Sequence, residues 1–328
     1  MWAESGGEAG NGESSQPYRS GFAVIVGRPN VGKSTLMNAL VGTKVSIVSP
    51  QPQTTRLRVT GVMHRPDGQV VFLDTPGIQR PRRHLDQYME HAAEGSLAGV
   101  EAVLWVVEAG VQPGPRDRLV AALLAGVRDT PILLILNKVD QAPRERLPEL
   151  ERAYVALLPE ASPSVSSRPV SALTGEGIAE LRDAVFELMP PGPRYFLPDM
   201  VTDQPERILF AELVREAALH LLRQEVPHAL AVVVEQMEQR RDDLVYVAAT
   251  IYVEHESQKG IVIGHGGGTL KNIGSLARQQ MESLFESRFY LDLNVKVRAG
   301  WRDSPAALRQ MGYALDRGET DGDVGRTR

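Results

Sequence analysis

The chain has 328 residues, enough for about two domains at roughly 150 residues each. Hydrophobic residues at 42% and charged residues at 23% exclude wholesale disorder, and the absence of cysteine excludes disulfides, a thiol nucleophile and cysteine-based metal chemistry. The formal charge of -5 argues against uniform attraction to nucleic acid, although such an average can conceal a basic patch. Residues 1–20, rich in Gly, Ser and Glu, would bury little apolar surface and read as a flexible tail with no signal-peptide character. Phe22–Val26 is a compact apolar strand, Gly27–Gly32 a loop and Ser34–Leu40 a helix-compatible stretch. Further strands are expected at Val59–His64, Gln69–Leu73, Ala102–Val107 and Pro131–Leu136, and helices at His84–Leu97 and Arg116–Leu124. Strands apolar on both faces, alternating with helices, predict an α/β domain with a mostly parallel sheet.

Leu181–Met189 has helical spacing and runs into Pro190, Pro191, Gly192 and Pro193, so the first domain is expected over residues 21–190 and a linker over 191–205. Beyond it, Glu206–Leu222 and Thr269–Ser287 read as helices, and Ala229–Glu238, Leu244–Glu254 and Leu291–Val297 as strands. These make an α+β domain over residues 206–316, followed by a second flexible tail over 317–328. No apolar run approaches the roughly 18 residues of a membrane span, and a cytoplasmic monomer is expected.

Gly27-Arg28-Pro29-Asn30-Val31-Gly32-Lys33-Ser34 fits the phosphate-loop pattern between strand and helix, with Thr35 following it. Backbone N–H groups of Gly32, Lys33 and Ser34 would face phosphate oxygens, Lys33 would bridge the terminal phosphates and Ser34 would ligate magnesium. Asp74-Thr75-Pro76-Gly77 sits at a strand end, where Asp74 would hold magnesium through water and Gly77 would let the backbone approach the terminal phosphate. Asn137-Lys138-Val139-Asp140 follows another strand. Asp140 would accept two hydrogen bonds from guanine that adenine cannot offer, Asn137 would support the base loop and Lys138 would lay its stem over the base. Ser171-Ala172-Leu173 would add a backbone contact to the base oxygen, unless Ser171 is an ordinary helix cap.

Residues Phe22 to Met189 therefore resemble a translation-factor-class GTPase domain, with its motifs in their usual order. The resemblance implies GTP and GDP as ligands with Mg²⁺, and a threonine of Gln53-Thr54-Thr55-Arg56 closing over metal and terminal phosphate; Thr55 is assigned, with Thr54 its rival. Ile78 stands where many such GTPases carry a water-positioning glutamine, and an aliphatic side chain cannot orient water by hydrogen bonding. The chain thus resembles the GTPases with a hydrophobic replacement, in some of which an asparagine matching Asn30 helps bind K⁺ and neutralise developing charge. A loop-stabilising hydrogen bond is the plainer role for Asn30.

In the second domain Gly264-His265-Gly266-Gly267 spells the GxxG of a KH domain, flanked by apolar Ile261 to Ile263 and a long helix. From Gln258 to Arg302, Lys259, Lys271, Arg278, Arg288, Lys296, Arg298 and Arg302 outnumber Glu282, Glu286 and Asp292, a local surplus that attracts phosphate. Lys259 and Lys271 are the expected phosphate contacts, and Ile261, Ile263 and Ile273 the expected wall of a groove for unstacked bases, with solvated surface charge and ordinary core as the equally weighted plainer roles. The joining segments, Thr202-Asp203-Gln204-Pro205-Glu206-Arg207, Arg215-Glu216, Glu225-Val226-Pro227-His228 and Gly300-Trp301-Arg302-Asp303, complete a resemblance from Gly21 to Tyr313 to the Era family of bacterial ribosome-associated GTPases. His265 departs from that family, where lysine is frequent, so phosphate attraction there would be weaker or pH-dependent. The resemblance implies a type II KH-like domain, binding to the 3′ end of small-subunit ribosomal RNA, a role in 30S assembly, and peripheral association with the inner face of the cell membrane. Against that last expectation, Arg207 to Arg223 reads better as a helix packed on its own domain. Two competing readings are an ATP-using kinase, which leaves Asn137 to Asp140 without a purpose, and a GTPase in tRNA modification or membrane signalling whose second domain docks a protein.

Overall fold

The computed structural model describes residues 17–51, 53–81, 83–160 and 165–313. The first domain runs β1 (Arg19–Val26), α1 (Lys33–Val41), β2 (Val59–Arg65), β3 (Gly68–Asp74), α2 (His84–Gly95), β4 (Ala102–Glu108), α3 (Pro115–Leu124), β5 (Ile132–Asn137), α4 (Leu147–Val155), β6 (Val165–Val170) and α5 (Ile178–Glu187). Its sheet has the order β2-β3-β1-β4-β5-β6, parallel throughout except where β2 pairs antiparallel with β3. The central strands are buried on both faces, with Ala23 to Val26 and Ala102 to Val107 fully covered, as a sheet with helices on both sides requires. The short α4 escapes periodicity reading because only Leu150 and Tyr154 of it are buried.

The second domain runs α6 (Glu206–Leu221), α7 (Val226–Ala229), β7 (Ala231–Arg241), β8 (Leu244–Val253), α8 (Glu256–Ile263), α9 (Gly268–Phe285), β9 (Arg288–Val297) and α10 (Pro305–Gln310). β8 is central, antiparallel to β7 and parallel to β9. Helices α6 and α9 cover one face of this sheet. Leu213, Val214 and Ala217 of α6 and Ile273, Ala277 and Met281 of α9 are fully buried there beside Val247 and Ile251. Helix α6 is therefore spent on its own domain, and no helix of the described residues is long and apolar enough to cross a membrane.

Two expected boundaries change. Arg19 and Ser20, assigned to the tail by composition, belong to β1, where Ser20 is buried and in register with Gln69. Parallel pairing with β3 supplies partners for their backbone, which composition does not see. Residues 191–205, expected as a linker, lie along the first domain. Gln69 Oε1 accepts from the backbone N–H groups of Tyr195 and Phe196, Val62 N donates to Val201 O, and Thr202 Oγ1 donates to Thr60 O. The remaining tail positions 1–16 and 317–328, together with residues 314–316, lie outside the described residues.

Candidate functional site

Strand β1 ends at Val26 and delivers the loop Gly27–Gly32 to the start of α1, the strand–loop–helix order that points backbone N–H groups toward one spot. Three ties hold this loop. Asn137 Nδ2 donates to Val31 O (2.8 Å), Lys138 Nζ to Asn30 O (3.0 Å) and Ile78 N to Gly27 O (3.2 Å). The ends of β1, β3 and β5, at one edge of the sheet, thus bring the three sequence motifs together. Gly77 approaches so closely that a Cβ there would lie 2.9 Å from the backbone of Pro29, and only glycine lets these two loops meet. Pro29, Asn30, Gly32, Lys33, Ser34, Thr35 and Gly77 share one pocket with Ile47, Val48, Ser49, Gln53, Thr54 and Thr55.

Ser34 and Thr55 of the pocket wall converge on Asp74, which is fully buried behind them. Ser34 Oγ lies 2.7 Å from Thr55 Oγ1 and donates to Asp74 Oδ2 at 2.8 Å, while Thr55 Oγ1 donates to the same oxygen at 3.3 Å. Thr54 instead turns its hydroxyl to Gln51 O (2.7 Å), so Thr55, not Thr54, joins the cluster. Asp74 Oδ1 is buried without a hydrogen-bond partner. Burial pushes the Asp74 carboxyl above its ordinary range, while Lys33 and the hydroxyls of Ser34, Ser46 and Thr55 pull it back. An all-oxygen set with one unsatisfied carboxylate oxygen fits a hard divalent cation such as Mg²⁺. Burial also brings the Lys33 ammonium down to about 8, a cost relieved in part by Asp74; its Nζ donates to Arg28 O (3.2 Å).

Other expected residues act at one remove. The Arg28 side chain pairs with Glu108 (3.0 Å) and Asp117 (3.4 Å), Val31 is core, and Thr75 donates to Ile25 O (2.8 Å) with Pro76 buried beside it, so these support the loops by backbone or from behind. Asn30 Nδ2 donates to Pro50 O (3.1 Å), the loop-stabilising bond expected of it. At the base end Asp140 is fully exposed, and the Ser171 hydroxyl holds its carboxyl below the ordinary range. Ala172 N donates to Asn137 Oδ1 (3.0 Å), tying the loop Ser171 to Leu173 to the same frame; the Leu173 side chain is 76% exposed.

The second domain grips the segment Lys44 to Arg56, a feature not legible in either motif. Glu216 of α6 binds Lys44 Nζ and accepts from Val48 N (2.8 Å), and Arg215 Nη2 donates to Thr54 O. Arg56, 1% exposed, donates to Leu230 O (2.7 Å) and His228 O (3.1 Å) at the end of α7, with Trp301 beneath its guanidinium. Ile47 is part of the second domain's core. The sequence signals were three of the joining segments, Arg215-Glu216, Glu225 to His228 and Gly300 to Asp303, the first a pair of charged residues buried on α6.

The glycine loop Gly264–Gly267 joins α8 to α9, with His265 and Gly266 exposed. Ile273 corrects an expectation: it is fully buried in the core under α9 and offers no surface to a base. Ile261 is half exposed and Ile263 partly so, at the end of α8, yet the cavity beside the loop is lined by Gly267, Leu270, Lys271, Gly274, Arg278 and Leu293 between α9 and β9. Glycine in mid-helix at position 274, against Leu293, was the available signal for this groove. Of the basic surplus, Arg302 is consumed by buried Glu254 and Lys296 by Glu235 (3.3 Å), whereas Lys271 is exposed and Lys259 partly so.

Residues 22–138 match a family described as 50S ribosome-binding GTPase, and residues 225–302 match the KH domain. GTPase Era of Carboxydothermus hydrogenoformans is 47% identical over 90% of this chain and 98% of its own, and GTPase Era of Alkaliphilus metalliredigens is 46% identical over 90% and 99%. Among solved structures, Era in complex with MgGDPNP and nucleotides 1506–1542 of 16S ribosomal RNA has a TM-score of 0.84 at 38% identity, covering 90% of this chain and 99% of that one. A variant of Aquifex aeolicus Era bound to GDP and aluminium fluoride gives a TM-score of 0.83 at 38% identity, covering 90% and 100%. With both domains and nearly the whole length matched, the chain belongs to the Era family of GTPases.

Proposed function

We propose that this GTPase is a cytoplasmic, monomeric switch that binds the 3′ end of small-subunit ribosomal RNA through its KH domain and assists 30S maturation. The observation that carries it is the double hold on Lys44 to Arg56. At one end Thr55 meets Ser34 and Asp74, and at the other Arg215, Glu216 and the α7 carbonyls grip Thr54, Val48 and Arg56. A change at the terminal phosphate must therefore act on contacts with α6 and α7, and RNA that favours one arrangement must shift nucleotide preference by the same factor. The solved relative with MgGDPNP and 16S RNA supports the choice of ligands.

Ser34, Thr55 and Asp74 would hold Mg²⁺, which supplies charge neutralisation at the phosphates when bound. Lys33 orients the terminal phosphates, Gly77 lines the same pocket, and Asp140 with the Ser171–Leu173 loop selects guanine. Ile78, 8% exposed, excludes bulk water without orienting a nucleophile. Asn30 is the K⁺ ligand of this reading: its Nδ2 is committed to Pro50, and no hydrogen bond engages its Oδ1 among the described residues. The membrane role gains no support, because α6 is packed into its own domain.

The test is to crosslink RNA in cells or extracts with GDP and with a non-hydrolysable GTP analogue and to sequence it. Recovery of the small-subunit 3′ end with the analogue alone is expected; RNA recovered equally in both states would remove the switch, and other RNA would remove the partner. Hydrolysis measured in KCl and in NaCl checks Asn30.

A further inference from the structure

Strands β8 and β9 alternate, sending Val247 and Phe289 into the core and Tyr246 and Tyr290 to the solvent face of the sheet. The parallel register puts Tyr246 directly opposite Tyr290, and their rings stack at 5.8 Å between centroids with planes 22° apart. Arg240, from the end of β7, lies over Tyr246 with its Cζ 3.8 Å from the ring centroid. The Tyr246 hydroxyl donates to Asp292 (3.2 Å), which fixes the ring further. Three flat π groups thus form a row across three strands. The row ends at Tyr290, 59% exposed on the edge strand, and among the described residues no other ring or cation stacks on it. An exposed tyrosine whose orientation is set by a ring and a cation behind it presents a ready face without further ordering cost.

Position decides what that face meets. Tyr290 also borders the cavity of about 520 Å³ between α9 and β9, together with Gly267, Lys271 and Arg278. A strand of RNA in that groove would leave it along β9 beside Tyr290. We propose that Arg240, Tyr246 and Tyr290 form a stacking platform for an unpaired RNA base adjacent to those held in the groove, which lengthens the RNA path around the β9 edge. The inference rests on the RNA-binding reading above. Because every base has a π face, the platform adds affinity without demanding one sequence.

The experiment compares two single-stranded oligonucleotides from the 3′ end of small-subunit ribosomal RNA on the full chain loaded with a GTP analogue. One spans the roughly four nucleotides that a KH groove clamps; the other adds unpaired nucleotides at both ends, with 2-aminopurine placed at each added position in turn. Tyr290→Ala should weaken the longer RNA roughly 5- to 150-fold more than it weakens the shorter one. Tyr290→Phe should retain the affinity, and 2-aminopurine at one added position should be quenched by the wild type but not by Tyr290→Ala. Equal binding of the longer RNA by wild type and Tyr290→Ala, or an equal loss on both RNAs, overturns the platform. Gly264→Asp separates the two readings: if it abolishes RNA binding while Tyr290→Ala changes nothing, the groove stands and the platform falls, whereas if the wild type binds neither RNA, both fall.

Discussion

The two glycine-marked loops, Gly27–Gly32 and Gly264–Gly267, look alike in sequence and differ in what holds them. The first is tied from the ends of β3 and β5 by Asn137, Lys138 and Ile78 and sits above buried Lys33 and Asp74. The second projects between two helices with His265 and Gly266 exposed. A preorganised, desolvated frame suits a small ligand whose charges must be met at set points, and an exposed loop suits a long polymer backbone that approaches from outside. Between them the Lys44 to Arg56 segment belongs to both, with Thr55 in the frame and Arg56 under the KH domain.

Breaking the frame should have the largest effect. Lys33→Ala leaves buried Asp74 without its cationic neighbour and should weaken GTP binding by roughly 3–5 kcal/mol, read with a fluorescent GTP analogue, while the RNA affinity of the nucleotide-free protein stays constant. Asp140→Asn removes a charged acceptor and should cost about 3 kcal/mol for GTP. The new amide offers a donor to the 2-carbonyl of xanthine, so competition by XTP should rise; unchanged GTP preference would break the assignment of the base end.

The shared segment comes next. Arg56→Ala strands the carbonyls of Leu230 and His228 and should lower stability in urea by about 2 kcal/mol. It should also shrink the difference in RNA affinity between GDP and a GTP analogue, whereas Lys33→Ala cannot move the urea midpoint through those carbonyls. At the open loop, Gly264 has φ 73° and a Cβ there would lie 2.2 Å from Thr269 Oγ1. Gly264→Asp should therefore cost roughly 1–3 kcal/mol in backbone strain alone, and weaken RNA about tenfold or more with GTP binding intact.

The smallest effect is a pH dependence confined to the frame. Lys33 titrates at about 8 without nucleotide because burial disfavours the ammonium. Phosphate favours the charged form, so binding takes up a proton and GTP affinity should fall as pH rises above 8, about fivefold between pH 8 and 9 and steepening toward tenfold per unit beyond. Calorimetry near pH 8 in buffers of different ionisation heat should register that uptake; heats independent of buffer would place the ammonium in an ordinary environment.

Legibility followed the same division. Gly27 to Ser34, Asp74 to Gly77 and Asn137 to Asp140 could be read because each motif is local and sits at a strand end that the apolar pattern already marked. Ser171 to Leu173 had a weaker signal, and its place in the frame depends on Asn137 reaching Ala172. Ile273 misled because an apolar residue near a glycine loop looks the same whether it faces a groove or the core. The docking of residues 191–205 on Gln69, Val62 and Thr60 was hidden, since proline-rich composition describes conformational preference and not contact.

By itself the sequence determined the order of strands and helices, the phosphate and guanine chemistry, and the presence of a glycine loop in an α+β domain, because these depend on period and on residues close along the chain. Only the tertiary structure set the Thr55 hydroxyl, rather than that of Thr54, beside Ser34 and Asp74, buried Ile273, lined Tyr246, Tyr290 and Arg240 into one row, and set Arg56 against His228 and Leu230. Each of these joins groups far apart in sequence, and burial and hydrogen-bond satisfaction exist only once the chain has folded.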